Sequence, residues 1–259
     1  MKKVVEAKVI INEEVSSNIY KMVIESPEVA ATSKAGQFVN VYPKTNSTIL
    51  PRPISINDIT DTTITIVYAV VGKGTDEFSK YQAGDTVRVS TALGNGYTIK
   101  EAATSVLVGG GIGVPPLVQL AKTLKAQGAE KVIAVIGFRD EPILVDELKE
   151  LGVEVHVATD SGKHGFKGNV IELMKQENII GDYYYSCGPK IMLKNLASYC
   201  EELGKEVQVS MEERMGCGYG VCVGCVIKIN DDTKEDGFVY KKVCKDGPVF
   251  LGSEVKWNE

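Results

Sequence analysis

The sequence changes its pattern at Ser105-Val-Leu-Val-Gly-Gly-Gly-Ile-Gly-Val-Pro-Pro116. Residues 105–108 read as a short buried strand that leads directly into the glycine-rich residues 109–113. Pro115 and Pro116 then suit the first turn of a helix. Such a turn brings bare backbone against a ligand and points helix N–H groups at an anion. The stretch therefore predicts a nucleotide site, with a plain tight turn as the alternative. It does not fit the G-x-G-x-x-G fingerprint, because residues 114 and 116 are Val and Pro.

Downstream of this stretch, apolar runs of strand length alternate with segments of helical periodicity. In the helix that follows the glycines, Leu117, Leu120, Ala121 and Leu124 share one apolar face. This alternation implies a parallel sheet with helices on both faces, which binds ligands at the carboxyl ends of its strands. The predicted strands are 132–137, 153–158, 183–186 and 207–211, and the predicted helices are about 143–151, 169–177 and 190–203.

Upstream of the same stretch, the first hundred residues contain short β-branched runs that Gly, Pro and Asn separate. The clearest run covers residues 63–71, alternates at first and then meets Gly72. Short strands at this spacing predict an antiparallel barrel or sandwich. Arg52-Pro-Ile-Ser55 is expected to lie between two of the strands. The predicted strands are 4–11, 19–24, 37–42, 63–71 and 85–89.

The composition is that of an ordinary globular protein, with 44% hydrophobic and 24% charged residues in a chain of 259. The formal net charge is −5, and phosphate contacts need clustered positive charge, so we expect no nucleic-acid partner. No apolar run approaches the roughly 18 residues of a membrane helix. Glu6 interrupts the N-terminal apolar run too early for a signal peptide. We expect a cytoplasmic protein without a membrane partner, built from one large or two medium domains.

The six cysteines are unevenly placed, because none precedes Cys187 and four form a C-x4-C-x2-C…C pattern. This is the spacing of plant-type [2Fe-2S] proteins, in which three thiolates on one tight loop and a fourth from a distant segment hold the cluster. Glycines in the loop would let its backbone adopt positive φ and approach the sulfides closely. The candidate ligands are Cys217, Cys222, Cys225 and Cys244, and the loop glycines are Gly216, Gly218, Gly220 and Gly224.

Two other interpretations of these cysteines stay open. Structural zinc usually takes paired C-x2–4-C knuckles, and Cys244 has no cysteine close to it in sequence. Four unconnected buried thiols within 28 residues are the other alternative. Cys200 falls in a helical stretch, where we expect a packed thiol. Of the only two histidines, we expect His156 to be structural and His164 to be exposed to solvent.

Five segments occur in the order that they have in the ferredoxin-NADP⁺ reductase superfamily, which the chain therefore resembles. They are Arg52-Pro-Ile-Ser55, Gly72-Lys-Gly-Thr75, Leu93-Gly94, residues 109–113 and Cys187-Gly-Pro189. Ala92 is a departure, since the superfamily commonly has proline there, and we expect only a small local change in that loop. Residues 211–225 and 243–250 are similar, more narrowly, to the electron-transfer subunits of class 1B dihydroorotate dehydrogenases.

This resemblance covers essentially the whole chain and implies a β plus α/β architecture. Residues 1–100 would form an antiparallel β-barrel that binds FAD. Residues 101–211 would form a doubly wound parallel-sheet domain that binds NAD, and residues 212–259 a small C-terminal [2Fe-2S] subdomain.

The resemblance implies a flavin site along the barrel. Arg52 would pair with the FAD diphosphate, and the Ser55 hydroxyl would lie near N5 of the flavin. Residues 67–69 would run along the flavin, with Tyr68 as a barrel-surface aromatic being the alternative. Gly74 and Thr75 would hold the diphosphate through backbone and hydroxyl donors. The implied FAD residues are Arg52, Pro53, Ile54, Ser55, Val67, Tyr68, Ala69, Gly74 and Thr75.

The resemblance also implies an NAD site in the α/β domain. No catalytic residue is assigned, but Cys187 would lie near the nicotinamide, and it also reads as a small buried residue. Asp140 and Glu141 favour a free 2′-hydroxyl and hence NAD, whereas Arg139 would suit a 2′-phosphate. The implied NAD residues are Gly109, Gly110, Gly111, Ile112, Gly113, Asp160, Cys187, Gly188 and Pro189.

A chain that holds both FAD and a one-electron cluster converts between two-electron and one-electron transfer. The resemblance implies that electrons pass from dihydroorotate, through FMN in a separate catalytic subunit, to this cluster, to this FAD and to NAD⁺. The reaction belongs to pyrimidine biosynthesis, and the assembly would be a hetero-oligomer, of heterotetramer type. No residue suits the role of a base on dihydroorotate, so this chain alone is not expected to oxidise it.

Two alternative functions remain. The first is an electron-input or NADH-oxidising subunit of another flavin iron–sulfur complex, of the bifurcating-reductase or sulfhydrogenase type. Related subunits of bifurcating transhydrogenases use an Asp among the cluster ligands, whereas this sequence has four Cys. The second is a non-enzymatic regulatory module that binds zinc or a nucleotide.

Overall fold

The computed structural model describes residues 2–45 and 48–257. Its N-terminal part consists of β1 (Val4–Ser16), β2 (Ile19–Glu25), α1 (Pro27–Thr32), β3 (Phe38–Tyr42), β4 (Arg52–Ile59), β5 (Thr63–Ala69), α2 (Lys73–Ser79) and β6 (Thr86–Ser90). The strands close into an antiparallel barrel in the order β1-β2-β5-β4-β3-β6. Alternate side chains such as Ile64 and Ile66 point inward and are fully buried, so the barrel has an apolar core of its own.

The prediction that Arg52-Pro-Ile-Ser55 lies between strands was wrong, because these residues form the first half of β4. Proline cannot donate to a ladder and is usually confined to strand edges. Here Pro53 pairs with Asn40 of β3, whereas β5 pairs with β4 only from Ile56 onward. On the side that faces β5, Pro53 therefore interrupts no ladder.

The middle of the chain follows the predicted alternation of strands and helices. Its elements are β7 (Thr104–Gly110), α3 (Pro115–Ala126), β8 (Lys131–Phe138), α4 (Val145–Glu150), β9 (Glu154–Thr159), β10 (Phe166–Lys167), α5 (Val170–Gln176), β11 (Tyr183–Cys187), α6 (Lys190–Glu202) and β12 (Val207–Ser210). All pairings within the order β10-β9-β8-β7-β11-β12 are parallel. Val106 of β7 packs with α5 and α6, and Leu107 packs with α3 and α4. Both faces of the sheet are therefore covered, as in a doubly wound fold.

The C-terminal residues pack onto this sheet. They include β13 (Val226–Asn230), β14 (Phe238–Lys242), α7 (Val243–Asp246) and β15 (Val249–Leu251). β13 and β14 form an antiparallel hairpin, and β15 joins the large sheet antiparallel to β12. Cys225 and Cys244 are fully buried in the same apolar cluster as Val209 of β12.

Direct hydrogen bonds join the barrel to helix α3 and to the parallel sheet. The Gln119 side-chain oxygen accepts from the Ile59 N–H at 2.7 Å, and Lys122 Nζ donates to Asp58 Oδ1 at 2.6 Å. On the other side, the Tyr97 hydroxyl donates to a carbonyl of β11 at 2.9 Å. These contacts hold β4 and β5 opposite the carboxyl ends of β7 and β12. Within the described residues, no helix has the length and apolar character to cross a membrane.

Candidate flavin, nicotinamide and iron–sulfur sites

A cleft of about 300 Å³ opens where the barrel meets the carboxyl ends of the parallel strands. The barrel side carries eight of the nine residues implied for FAD: Arg52, Pro53, Ile54, Ser55, Val67, Tyr68, Ala69 and Thr75. The opposite wall includes Ile112 after β7, Ser210 at the end of β12, and Met211, Glu212, Glu213 and Met215 after this strand. The structure therefore brings the implied flavin residues together at the predicted edge of the sheet.

The ninth residue, Gly74, determines how Arg52 reaches the cleft. A Cβ at Gly74 would lie 2.8 Å from Arg52 Nε, so only glycine at this position of α2 lets the guanidinium pass so closely over the helix. Arg52 Nη1 also donates to the Leu50 carbonyl at 2.7 Å, which fixes its direction. A guanidinium held in place at a cleft suits an anionic group such as a diphosphate. The Thr75 hydroxyl accepts from Val71 N–H and donates to the Gly72 carbonyl, so it stabilises the turn before α2.

Tyr68 belongs to the barrel core. Its side chain is only 2% exposed, and its hydroxyl donates to Asn12 Oδ1 at 3.0 Å. The ring stacks on Tyr20 at a centroid distance of 6.0 Å. Burial raises the pKa of the Tyr68 phenol, so it stays protonated. The alternative of a barrel-surface aromatic was therefore wrong.

The glycines of residues 109–113 have different structural roles. A Cβ at Gly113 would lie 2.5 Å from the Cys187 carbonyl oxygen, and one at Gly110 would lie 2.8 Å from Pro189 Cδ. These two glycines therefore let the loop touch residues 187–189, and the two segments implied for NAD are adjacent. Gly111 has φ +54°, and a Cβ there would meet nothing within 4 Å. Its role is conformational.

Cys187 and Glu212 lie where the two implied sites meet. Cys187 is 1% exposed; burial, with a contribution from Glu212, raises the pKa of its thiol. A protonated, buried thiol packs rather than attacks. Partial burial along the cleft also raises the pKa of Glu212, although its side chain remains exposed to solvent. The position of Glu212 directly after a parallel strand is the sequence signal that could have identified it as a cleft residue.

The remaining polar residues of the α/β domain lie away from this cleft. Asp160 is exposed after β9. Asp140, after β8, accepts from Lys163 Nζ at 2.9 Å, and this hydrogen bond lowers the pKa of Asp140. His164 is exposed, whereas His156 binds the carboxylates of Glu154 and Glu177 at the surface.

The four cysteines of the C-x4-C-x2-C…C pattern associate as two pairs. The thiol of Cys217 interacts with Cys222, and the thiol of Cys244 interacts with Cys225. Burial alone would raise the pKa of Cys217, but backbone N–H groups of Cys222 and Tyr219 donate to its sulfur at 3.5 and 3.4 Å. The net result is a pKa of about 6.

The donor set fits an iron–sulfur cluster. The described residues include four free thiols in this region, which is the number and type of ligand that a [2Fe-2S] cluster takes. A structural zinc usually takes paired C-x2–4-C knuckles, which Cys244 does not provide.

The loop glycines agree only partly with the prediction of positive φ. Gly218 and Gly220 have φ of +72° and +83°. Gly216 and Gly224 do not adopt positive φ; a Cβ at these positions would lie 3.5 and 3.7 Å from Cys222 Sγ. Both distances are ordinary van der Waals contacts, so neither backbone conformation nor close packing requires glycine at these two positions.

Residues 212–256 match the family model described as the iron-sulfur cluster binding domain of dihydroorotate dehydrogenase B. The curated "Dihydroorotate dehydrogenase B (NAD(+)), electron transfer subunit" of Caldanaerobacter subterraneus subsp. tengcongensis is 40% identical over 96% of this chain and 97% of its own length. Its namesake from Clostridium perfringens is 40% identical over 95% of each chain.

Solved structures show the same architecture. A chain of an NADH-dependent reduced ferredoxin-NADP oxidoreductase, from work on flavin-based electron bifurcation, superposes with a TM-score of 0.86 at 31% identity, over 97% of this chain and 90% of that one. A ferredoxin NADP⁺ reductase from Neisseria gonorrhoeae shares the fold at 19% identity and a TM-score of 0.67, over 78% and 92%. The chain thus belongs to the family of the electron-transfer subunits of NAD⁺-dependent dihydroorotate dehydrogenase B.

Proposed function

We propose that this chain transfers electrons between a [2Fe-2S] cluster on residues 217–244 and FAD in the 300 Å³ cleft, and from there to NAD⁺. The observation that carries the proposal is that the short segment between β12 and Cys217 lines the cleft. Met215 of this segment lines the cleft, and Cys217 follows two residues later. The two proposed redox sites are therefore joined by a few residues of one chain. Bound FAD supplies exchange of two electrons with nicotinamide and of single electrons with iron–sulfur clusters.

The chain's own residues bind and orient these groups. The Arg52 guanidinium binds the diphosphate, and the walls formed by β4 and β5 exclude water from the flavin face. Residues 109–113 and 187–189, which contact each other, form the proposed nicotinamide side, with Asp160 further along the same sheet edge. The pairs Cys217/Cys222 and Cys225/Cys244 are the proposed cluster ligands.

The oxidation of dihydroorotate is assigned to a partner. The thiol nearest the proposed nicotinamide site, Cys187, is buried and has a raised pKa, so it does not suit proton abstraction from a substrate. The curated relatives are named as subunits, which supports an FMN-containing catalytic partner in a hetero-oligomer, of heterotetramer type. Val221 and Val223 flank Cys222 and are 84% and 70% exposed, and we place the partner contact there. The free thiols agree with a reducing compartment, for which we propose the cytoplasm.

Reconstitution tests this function. The purified chain should show flavin and [2Fe-2S] absorption, and mixing it with an FMN-containing dihydroorotate dehydrogenase subunit should give dihydroorotate-dependent NADH formation. A protein that shows neither chromophore after reconstitution with FAD, iron and sulfide would overturn the proposal.

A second candidate is an NADH-oxidising subunit of another flavin iron–sulfur complex, of the bifurcating-reductase or sulfhydrogenase type. The similarity to the NADH-dependent reduced ferredoxin-NADP oxidoreductase chain favours it. Both chromophores together with no coupling to any dihydroorotate-oxidising partner would select this candidate.

A further inference from the structure

Strand β3 of the barrel holds the cysteine loop, which we define as residues 216–225. Asn40 Nδ2 donates to the Cys217 carbonyl at 3.2 Å. Two residues further along the strand, the hydroxyls of Tyr42 and Tyr219 form a hydrogen bond of 2.9 Å. Two side chains of one barrel strand thus reach the loop that carries the first proposed cluster ligand.

Asn40 is an unusual residue for its place in the barrel. It is fully buried, as are its apolar neighbours Val39 and Val41. The backbone N–H of Asn40 donates to Ser90 Oγ at 2.9 Å, but its side-chain Oδ1 is buried without a hydrogen-bond partner. Burying an unsatisfied amide oxygen destabilises a fold. Stability alone therefore does not explain an asparagine here, whereas its N–H contact with the loop does.

The loop is shaped to receive this amide. Gly218 has φ +72°, and a Cβ at this position would lie 2.4 Å from Asn40 Nδ2. Only glycine lets the backbone after Cys217 approach the barrel so closely. On the far side of the loop, Lys242 Nζ donates to the Gly220 carbonyl at 2.7 Å. The loop is therefore fixed from two sides, and the barrel supplies one of them.

The same strand also belongs to the flavin cleft. Phe38, two residues before Asn40, lines the cleft. Asn40 itself pairs in register with Pro53 of β4, which lines the barrel side of the same cleft. A strand residue advances by about 3.3 Å and is held by its neighbours on both sides, so β3 is a stiff connection between the two sites. We propose that Asn40, assisted by Tyr42, is a positioning residue that fixes the cysteine loop relative to the flavin and preserves the N–H···S hydrogen bonds of Cys217. This inference rests on the proposed function.

The expected consequence concerns the reduction potential of the cluster. Hydrogen bonds to the sulfurs stabilise the more negative, reduced cluster and so raise its potential. Cys217 Sγ accepts two such bonds, from the N–H groups of Tyr219 and Cys222. Removing the Asn40 amide releases the carbonyl of Cys217, lets the backbone move away from the barrel and weakens these bonds. The potential should therefore fall.

The test compares Asn40→Leu with Asn57→Leu in the full-length, reconstituted chain. Asn57 is a matched control because it is 3% exposed in the same barrel and also has a buried, unpartnered Oδ1. Reduced clusters are followed by electron paramagnetic resonance during a redox titration, and FAD content is read from the visible spectrum. We expect N40L to lower the reduced-to-oxidised ratio at a fixed potential about tenfold, which is about 59 mV for one electron, with shifted g-values and full FAD content. N57L should match the wild type.

A cluster signal and potential in N40L equal to those of N57L would overturn the inference and leave the proposed function intact. A wild-type chain without any [2Fe-2S] signal would overturn both. If N40L does not fold, Tyr42→Phe carries the test, since it deletes a single oxygen atom. It should lower the potential by a smaller amount, because it removes only the hydrogen bond between Tyr42 and Tyr219. A wild-type potential and spectrum in Y42F would then refute the positioning role.

Discussion

Gly113→Ala tests whether the contact between the two proposed NAD segments matters for nicotinamide binding. A Cβ at Gly113 would lie 2.5 Å from the Cys187 carbonyl oxygen and 2.5 Å from Gly188 Cα, about 1 Å closer than ordinary contact. Because both atoms belong to backbone, no rotamer change relieves the overlap, and the two segments must separate. Overpacking of this kind costs about 1–3 kcal/mol of folding stability. A displacement of about 1 Å at a reacting group can lower the rate by about 100-fold.

The assay is NADH oxidation with ferricyanide as acceptor, which needs the FAD and NAD sites but not a partner. We expect kcat/KM for NADH to fall 10- to 100-fold while FAD content stays near one per chain. Gly109→Ala is a milder change in the same loop and should lower kcat/KM for NADH less than Gly113→Ala does. Its Cβ would meet Leu117 Cδ1 at 2.8 Å and Val114 Cγ2 at 2.9 Å, and these are side-chain atoms that can shift. Equal NADH kinetics in G113A and the wild type would refute the assignment of residues 109–113 and 187–189 to one site.

Three further perturbations address the other sites. Cys222→Ala should abolish the [2Fe-2S] absorption but keep FAD and the NADH–ferricyanide activity. The control Cys200→Ala removes a packed thiol in α6 and should keep the cluster. Loss of FAD in C222A alone would argue against separate sites. Arg52→Ala removes a charge-assisted contact of about 1.5–3 kcal/mol and should weaken FAD binding about 10- to 100-fold in a flavin-fluorescence titration. An unchanged affinity would exclude Arg52 from the diphosphate site. Val223→Asp places a charge beside Cys222 and should reduce dihydroorotate-dependent NADH formation with the partner subunit. The NADH–ferricyanide activity should stay constant. Equal loss of both activities would contradict a docking role for Val223.

The layers of the fold could be predicted from the sequence because burial imposes periodicity. The β-branched run of β5 and the helical face of α3 both carry their period in the residue order. The beginning of β4 could not be predicted in this way, because Pro53 opposes a strand locally and only the registers of β3 and β5 show where it is tolerated.

The candidate site was predictable to a different extent. The spacing of the four cysteines identified a metal site, but it did not show that their thiols lie in pairs. Asn40 carries no local signal at all, because its contact with Cys217 joins residues that are far apart in the sequence. Glu212 carries only one local signal, which is its place directly after a predicted parallel strand.

Strand β15 has a consequence for the solubility of the chain. Without it, β12 would be the last strand of the large sheet, with the free N–H and C=O groups of Val207–Ser210 open to pairing with another molecule. β15 covers this edge, and it begins only five residues after Cys244, the last of the four cysteines. The segment that carries the cluster ligands therefore also covers the edge of the large sheet. A chain that loses this segment would lose electron transfer and its protection against edge-to-edge aggregation together.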